Sequence, residues 1–285
     1  MLYYAKNAKI LTVILLEIEL IALDIDGTLV DSKKRITEET KKTISKFINA
    51  GGKIVIASGR SVTGLMQYVD ELELKKHGGY LISFNGSVIV DLKTGDTVLQ
   101  TMIEPEFFPE ILKCAEKNNI SIATYKGDKA ITQKSKDRYF FEETSLNNLE
   151  VVYVESLLDE LKYPVPKFLL TDETEDLEKA ELNMRAELKC VNVFRSEPYY
   201  LELVPKGLDK GEALKRLCKY LNIDISKTLA CGDGYNDISL IKSAGIGIAM
   251  GNAQPPVKAA ADFVTLTNDE NGVAYAINKF CFGEK

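Results

Sequence analysis

Two aspartates directly after an apolar run could bind a metal ion and attack a phosphate. Asp24 and Asp26 follow the apolar residues 21–23, and Gly27 comes next. The continuous apolar run predicts a buried parallel strand, and if the chain stays extended beyond it, both carboxylates project to one side. Two carboxylates so close resist joint ionisation unless a cation lies between them, and Mg²⁺ suits such oxygen ligands together with a substrate phosphate. A carboxylate placed there can also attack phosphorus and form an aspartyl phosphate. An ordinary acidic turn is the simpler interpretation.

Composition indicates a soluble protein with more than one domain. The chain has 285 residues, of which 45% are apolar and 27% charged, so two domains with real cores are expected. A net charge of −6 argues against nucleic acid as the main partner. The cysteines are widely spaced without a C-x-x-C pair, which favours reduced thiols in the cytoplasm over disulfides or a zinc site; they lie at positions 114, 190, 218, 231 and 281.

The first twenty residues have no legible function. Their apolar run is interrupted by Glu17 and Glu19 well short of a membrane span, so no membrane association is expected. We interpret residues 1–20 as an added strand or a loosely held leader.

Three further segments end in polar groups that could meet at one edge of a sheet. The predicted strand 53–57 ends at Ser58 and Gly59, whose hydroxyl and amide can cradle phosphate, although a serine helix cap is the simpler interpretation. A cation in the first turn of a helix opposes the helix dipole, so Lys210 needs another reason for its place, such as neutralising a phosphate and a carboxylate. A later strand ends at Asp233, and Asn236 and Asp237 then open a helix.

The middle of the chain predicts a separate inserted domain. Short strands joined by short turns replace the alternation of strand and helix there, which indicates mostly antiparallel pairing. We therefore expect a catalytic core of residues 1–100 and 200–285 and an inserted α+β cap of residues 101–199. The many Glu and Lys residues of the insert are interpreted as solvated helix faces rather than a binding site.

The chain resembles the Cof-type phosphatase branch of the haloacid dehalogenase superfamily. The resemblance covers residue 21 to the end, with four motifs in order and at family-like spacing. It rests on Asp24-Ile25-Asp26-Gly27-Thr28-Leu29, Ser58, Lys210 and Gly232-Asp233-Gly234-Tyr235-Asn236-Asp237. The resemblance implies an α/β fold, in which a Rossmann-like core with a parallel sheet carries an inserted α+β cap.

The resemblance also implies a role for each motif residue. Asp24 would be the nucleophile, and Asp26 the general acid and then the base for water. The implied Mg²⁺ ligands are Asp24, the backbone carbonyl of Asp26 and Asp233, with Asp237 bracing the water shell of the metal. The groups expected to hold phosphoryl oxygens are Ser58, Lys210, Asn236 and the backbone amides of Ile25 and Gly59.

These roles imply a Mg²⁺-dependent phosphoric monoester hydrolase for small metabolites, with sugar phosphates as the expected substrates. A phosphomutase of the phosphomannomutase type stays open, although the motif around Asp233 favours hydrolysis. A non-enzymatic phospho-accepting signalling module also pairs carboxylates with a lysine and Mg²⁺, but it would need neither Asp26 nor a cap. The insert leaves and rejoins the core near the catalytic edge, so we expect it to cover the site as a lid. The physiological substrate and the oligomeric state stay open.

Overall fold

The computed structural model describes residues 18–133 and 138–284, so most of the predicted leader, residues 1–17, lies outside the described residues. The described strands form two sheets. In chain order they are β1 Leu20–Leu23, β2 Lys53–Ala57, β3 Tyr80–Ser83, β4 Val88–Asp91, β5 Thr97–Gln100, β6 Ser121–Lys126, β7 Lys129–Thr132, β8 Glu150–Tyr153, β9 Phe168–Thr171, β10 Val191–Glu197, β11 Tyr200–Pro205, β12 Thr228–Gly232, β13 Ile246–Ala249 and β14 Phe263–Val264.

The first sheet is the predicted parallel core. Its strand order is β14-β13-β12-β1-β2-β3-β4-β5. The strands from β14 to β3 are parallel, and β4 and β5 extend the edge as antiparallel hairpins. The chain moves outwards from β1 through β2 and later returns to the other side through β12, so the direction of winding reverses between β1 and β12. Ligands of open α/β sheets bind at such a reversal, outside the carboxyl ends of the strands.

Helices cover both faces of the core sheet. In chain order, the α-helices of core and cap are α1 Glu38–Asn49, α2 Val62–Glu71, α3 Leu74–His77, α4 Phe108–Lys117, α5 Arg138–Leu146, α6 Leu157–Glu160, α7 Thr174–Glu187, α8 Lys210–Leu221, α9 Ile238–Ser243, α10 Pro255–Ala260 and α11 Gly272–Phe282. Alternate residues of β1 belong to different apolar clusters: Ile21 packs with Phe47 of α1, whereas Leu20 packs with Leu214 of α8. This alternation explains why the strand is apolar throughout.

The second sheet belongs to the insert and has the order β10-β11-β9-β6-β7-β8. Its pairs are antiparallel except β7 with β8. Helices α4 and α7 pack their apolar sides on it, Phe108 and Met184 among them. The boundary expected between residues 199 and 200 falls at the first residue of β11, which pairs with β9 and β10 of the insert. We therefore propose that the cap extends through Pro205. Within the described part of the chain, no helix is long and apolar enough to cross a membrane.

Candidate active site

The carboxyl ends of neighbouring strands bring the predicted motif residues together. Asp24 follows β1, and its neighbours β2 and β12 lead into Ser58 and Asp233. The chain turns back over Ile25–Leu29, with Gly27 at φ +76°. A Cβ built on Gly27 would lie 2.2 Å from Oδ2 of Asp233, so this turn lies directly against the Asp233 carboxylate.

Lys210 supplies a buried positive charge behind these carboxylates. It is the first residue of α8, after Asp209, which caps the helix by accepting a hydrogen bond from Glu212 N–H. Its Nζ donates to Oδ1 of Asp24 at 2.7 Å and to Oδ1 of Asp237 at 2.6 Å, and only 1% of the residue is exposed. Burial alone lowers the pKa of Lys210, but the carboxylates of Asp237 and Asp24 outweigh burial and raise it. The lysine therefore stays charged, in the position that the sequence predicts.

Three carboxylates offer oxygens within 4.8 Å of one another: Asp24, Asp233 and Asp237. Burial raises the pKa of Asp24 well above its usual value, and Asp237 adds to the shift while Lys210 opposes it. Burial, followed by the charge of Asp237, raises the pKa of Asp233 to about 7. Because so much negative charge lies in a buried place, a divalent cation fits this cluster.

The hydrogen bonds separate direct metal ligands from a supporting carboxylate. Asp237 uses both oxygens within the protein, because Oδ1 accepts from Lys210 and Oδ2 accepts the N–H groups of Asp233 (3.1 Å) and Gly234 (2.9 Å). Asp24 uses only Oδ1, for Lys210, and Asp233 only Oδ1, for the Thr28 hydroxyl at 2.7 Å. Among the described residues, nothing donates to the second oxygen of either. This pattern suits Asp24 and Asp233 as ligands and Asp237 as their support.

The Asp26 side chain lies outside this cluster, in an ion pair. Arg60 donates from Nε to Oδ2 at 2.7 Å and from Nη2 to Oδ1 at 2.8 Å, and Lys34 Nζ reaches Oδ1 at 2.5 Å. Burial by itself raises the pKa of Asp26, but Arg60 first and then Lys34 outweigh burial and lower it. In this arrangement Asp26 is held ionised with both oxygens engaged by cations, so it can act as an acid or as a base only after those cations move.

A cleft of about 220 Å³ lies between the core and the cap at this edge. Lys210 and Ile25 are buried and do not line this cleft. The predicted residues that line it are Asp24, Asp26, Ser58, Gly59, Asp233, Asn236 and Asp237. A wider cleft of about 720 Å³ opens on the far side of Asn236, between the cap and the start of α8. Asp24 and Asp26 do not line that second cleft, so we place the chemistry in the smaller one.

The cap contributes residues that the sequence analysis missed. The interpretation of the insert's charges as solvated helix faces is wrong for Lys167, which is 2% exposed. Glu202, just beyond the expected end of the insert, is 3% exposed. They form an ion pair of 3.0 Å beside the cleft, and Lys167 also donates to the carbonyl of Gly59 at 3.1 Å. The burial of Glu202 could have been predicted from the sequence, because a charged residue in the otherwise apolar strand β11 needs a buried partner. The sequence around Arg60 and Lys34 contains no comparable indication of their contact with Asp26.

Comparisons with known proteins identify the family of the chain. The sequence profile of the haloacid dehalogenase-like hydrolases matches residues 21–277. A phosphatase of Bacillus subtilis is 32% identical over 90% of this chain and 98% of its own. A haloacid dehalogenase-like hydrolase of Bacteroides thetaiotaomicron has a solved structure with a TM-score of 0.83 and 41% identity, covering 92% of this chain and 98% of the other. A sugar phosphatase of haloacid dehalogenase subclass IIB gives a TM-score of 0.78 and 25% identity, with 92% and 98% covered.

The predicted α/β fold with a Rossmann-like core and the resemblance stated from the motifs are thus confirmed. The carboxylate cluster, the buried lysine and the profile match together show that the chain belongs to the haloacid dehalogenase-like hydrolase family, as a phosphoric monoester hydrolase.

Proposed function

We propose that this protein is a Mg²⁺-dependent phosphatase that hydrolyses small phosphorylated metabolites of the cytoplasm, sugar phosphates in particular, through a phosphorylated Asp24. The observation that carries the proposal is the buried set of Asp24, Asp233 and Asp237 around Lys210 at the carboxyl edge of the sheet. Asp24 and Asp233 would hold Mg²⁺ with the backbone carbonyl of Asp26. The bound ion would supply positive charge against the phosphoryl oxygens.

The residues of the cleft divide the reaction into two displacements. In the first, an oxygen of Asp24 forms a bond to phosphorus while the bond to the leaving oxygen breaks, and Asp26 donates a proton to that oxygen. In the second, water attacks the phosphorus, Asp26 accepts its proton, and Asp24 is released with inorganic phosphate. The substrate phosphate is dianionic, so its arrival gives Arg60 and Lys34 a competing partner and can free Asp26. Once free of the two cations, Asp26 takes up a proton from solvent, and this is the proton that it donates in the first step.

The remaining motif residues would bind the phosphoryl group. Ser58, which is 3% exposed, and Asn236 line the same cleft as Asp24. Backbone amides of Ile25 and Gly59 would add donors to the phosphoryl oxygens, while Lys210 neutralises Asp24. Donors already fixed by the fold need little reorganisation during the reaction, so they contribute to lowering its barrier.

The cap side of the cleft supports a polyhydroxylated leaving group. Glu142, Glu197 and Tyr199 line it together with Asp26. Carboxylates accept hydrogen bonds from hydroxyl groups, and the Tyr199 ring, stacked on Tyr139 at 4.5 Å between centroids, offers an apolar wall. The sugar phosphatase among the similar structures agrees with this choice. A cleft of about 220 Å³ leaves little room for a protein substrate.

The test compares the wild type with Asp24→Asn on a panel of hexose phosphates, a phosphopeptide and p-nitrophenyl phosphate, with Mg²⁺ and with a chelator. The wild type should release phosphate only with Mg²⁺ and should prefer the hexose phosphates. Asp24→Asn should lose about 10³-fold or more in kcat while its circular dichroism is unchanged, because an amide is a poor nucleophile. Substantial turnover by a purified Asp24→Asn protein would refute the nucleophile. Transfer of phosphate between two positions of one sugar, followed by NMR, would indicate the mutase instead, and equal rates on the phosphopeptide would contradict the covering cap.

A further inference from the structure

A buried ion pair of the cap contacts the loop that ends β2. Lys167 directly precedes β9, and Glu202 lies within β11. Lys167 Nζ donates to Oε2 of Glu202 at 3.0 Å and to the carbonyl of Gly59 at 3.1 Å. The carbonyl of Gly59 belongs to the loop of Ser58 and Gly59, so a side chain of the cap holds the backbone of a proposed phosphate-binding loop.

The same ion pair is connected through Asn85 to Asn236, which also lines the cleft. Oε2 of Glu202 also accepts a hydrogen bond from Nδ2 of Asn85 at 2.7 Å. Oδ1 of Asn85 in turn accepts from Nδ2 of Asn236 at 3.1 Å. Asn85 is 1% exposed, and a Cβ built on Gly59 would lie 3.1 Å from its Nδ2. One chain of hydrogen bonds therefore connects both Gly59 and Asn236 to the ion pair of the cap.

Stability alone does not account for this arrangement. Removing two charges from water is costly, and replacing a buried ion pair with apolar side chains is often neutral or stabilising. The surrounding contacts already fasten cap to core at the next two residues: Arg60 Nη1 donates to the carbonyl of Leu146 at 3.3 Å, and the N–H of Ser61 donates to Oδ1 of Asn147 at 3.0 Å. The contacts of Lys167 with Gly59 and of Glu202 with Asn85 are therefore not needed merely to attach the cap to the core.

We propose that Lys167 and Glu202 are positioning residues of the phosphatase. By holding the carbonyl of Gly59 they fix the loop whose Gly59 backbone amide is proposed to donate to the phosphoryl oxygens. Through Asn85 they also fix the side-chain amide of Asn236, so the cap aligns two proposed donors to the phosphoryl group. This inference rests on the proposed function. Neither residue takes part in bond making, and its effect passes through the groups that it orients.

The central experiment removes both charges together. In Lys167→Met with Glu202→Leu, neither member of the ion pair leaves its partner charge behind, so the fold should be kept. The buried Glu143 loses the attraction of Lys167 and the repulsion of Glu202 together, and Arg60 remains as a cation near it. We expect kcat on a hexose phosphate to fall about 10- to 100-fold, the loss that a displacement of about 1 Å in a site can cause. Binding of inorganic phosphate in the presence of Mg²⁺, measured by calorimetry, should weaken about tenfold. A merely structural pair would change the unfolding temperature without changing phosphate affinity in the folded protein.

Thr124→Val is the matched control. The Thr124 hydroxyl donates to the backbone carbonyl of Lys167 at 2.7 Å and is fully buried, so its removal disturbs the same residue without touching the ion pair. This variant should keep kcat and phosphate affinity within about twofold, since it leaves the proposed phosphate ligands in place.

A second variant keeps the proposal testable if the double variant does not fold. Asn85 has φ +55°, a conformation that glycine adopts without strain, so Asn85→Gly should fold while it cuts the connection to Asn236. It should weaken phosphate binding by less than the double variant does, because the contact of Lys167 with the carbonyl of Gly59 is kept. Wild-type kcat and phosphate affinity in either folded variant would overturn the positioning role. A wild type that binds phosphate but hydrolyses no monoester would count against the proposed function instead, and the phosphate affinities of the variants would still decide the role of the pair.

Discussion

Gly27 offers a sharp test of the proposed metal site. Its φ of +76° disfavours any residue with a side chain, and a Cβ there would lie 2.2 Å from Oδ2 and 2.8 Å from Oδ1 of Asp233. Carbon and oxygen atoms at such a contact do not approach below 3.0 Å, so the Asp233 carboxylate or the turn has to move by about 0.8 Å in Gly27→Ala. The Thr28 hydroxyl that holds Asp233 lies on the same turn, so both ends of that contact are disturbed.

Two effects of Gly27→Ala can be separated by size. The left-handed backbone costs about 1–2 kcal/mol of stability in any residue other than glycine. Metal–ligand distances tolerate only about ±0.2 Å, so a carboxylate displaced several times as far should lose its contact with the ion. Supporting groups of metal sites are worth about 10- to 100-fold in affinity. We therefore expect the Mg²⁺ affinity of Gly27→Ala to fall by about 100-fold or more.

Calorimetric titration with Mg²⁺ measures the affinity, and urea denaturation of the metal-free protein measures the free energy of unfolding. Gly95→Ala is the control, because Gly95 has φ +81° in a surface turn and no atom within 4 Å of its built Cβ. Gly95→Ala should lose the same stability, about 1–2 kcal/mol, from its left-handed backbone and should keep its Mg²⁺ affinity. A Gly27→Ala protein that binds Mg²⁺ within a few-fold of the wild type would show that Asp233 is not a ligand held by this turn.

Three further perturbations test the charges of the site. Asp26→Ala should accumulate phosphoryl groups on Asp24, because water is no longer activated, and mass spectrometry after an acid quench should detect them; full wild-type turnover would contradict the role. Lys210→Met should lower the free energy of unfolding of the metal-free protein by about 3–5 kcal/mol, since it leaves Asp24 and Asp237 buried without their cation; urea denaturation showing a loss below about 1 kcal/mol would refute the buried pairing. The pKa of Asp233 is raised to about 7 in the folded protein, so the folded state binds the extra proton, and stability of the metal-free protein should decrease as pH rises from about 4 to 7. Mg²⁺ binding at pH 6 should accordingly release protons, and equal calorimetric heats in buffers of different ionisation enthalpy would contradict this.

The residues that end strands or begin helices were predictable from sequence. Asp24, Ser58 and Asp233 each follow an apolar run, and the carboxyl ends of parallel strands meet at one edge. Lys210 was identifiable because its charge conflicts with the dipole of the helix that it begins. These are local rules, so distance along the chain does not weaken them.

The partners of those residues were not predictable by the same rules. Arg60 lies two residues from Ser58, yet its contact with Asp26 depends on how a helical turn and a strand end face each other in space. Lys167 and Glu202 are 35 positions apart and meet only because β9 and β11 are neighbours in the cap sheet. The end that we propose for the cap, at Pro205, differs from the expected one for a related reason. The residues of β11 are apolar enough for the core, and only the pairing with β9 and β10 assigns them to the cap.

The placement of β1 between β2 and β12 has a consequence for folding. Leu20 pairs with Lys53 on one side and with Thr228 on the other, so one partner is synthesised early and the other only after the whole cap. β1 is fully buried in the native state. Until β12 and α8 are synthesised, it has an open edge and an uncovered apolar face. Non-local pairing of this kind slows folding, and unpaired edges promote aggregation. The stretch of synthesis between β5 and β12 is therefore the interval in which this chain most needs protection by a chaperone.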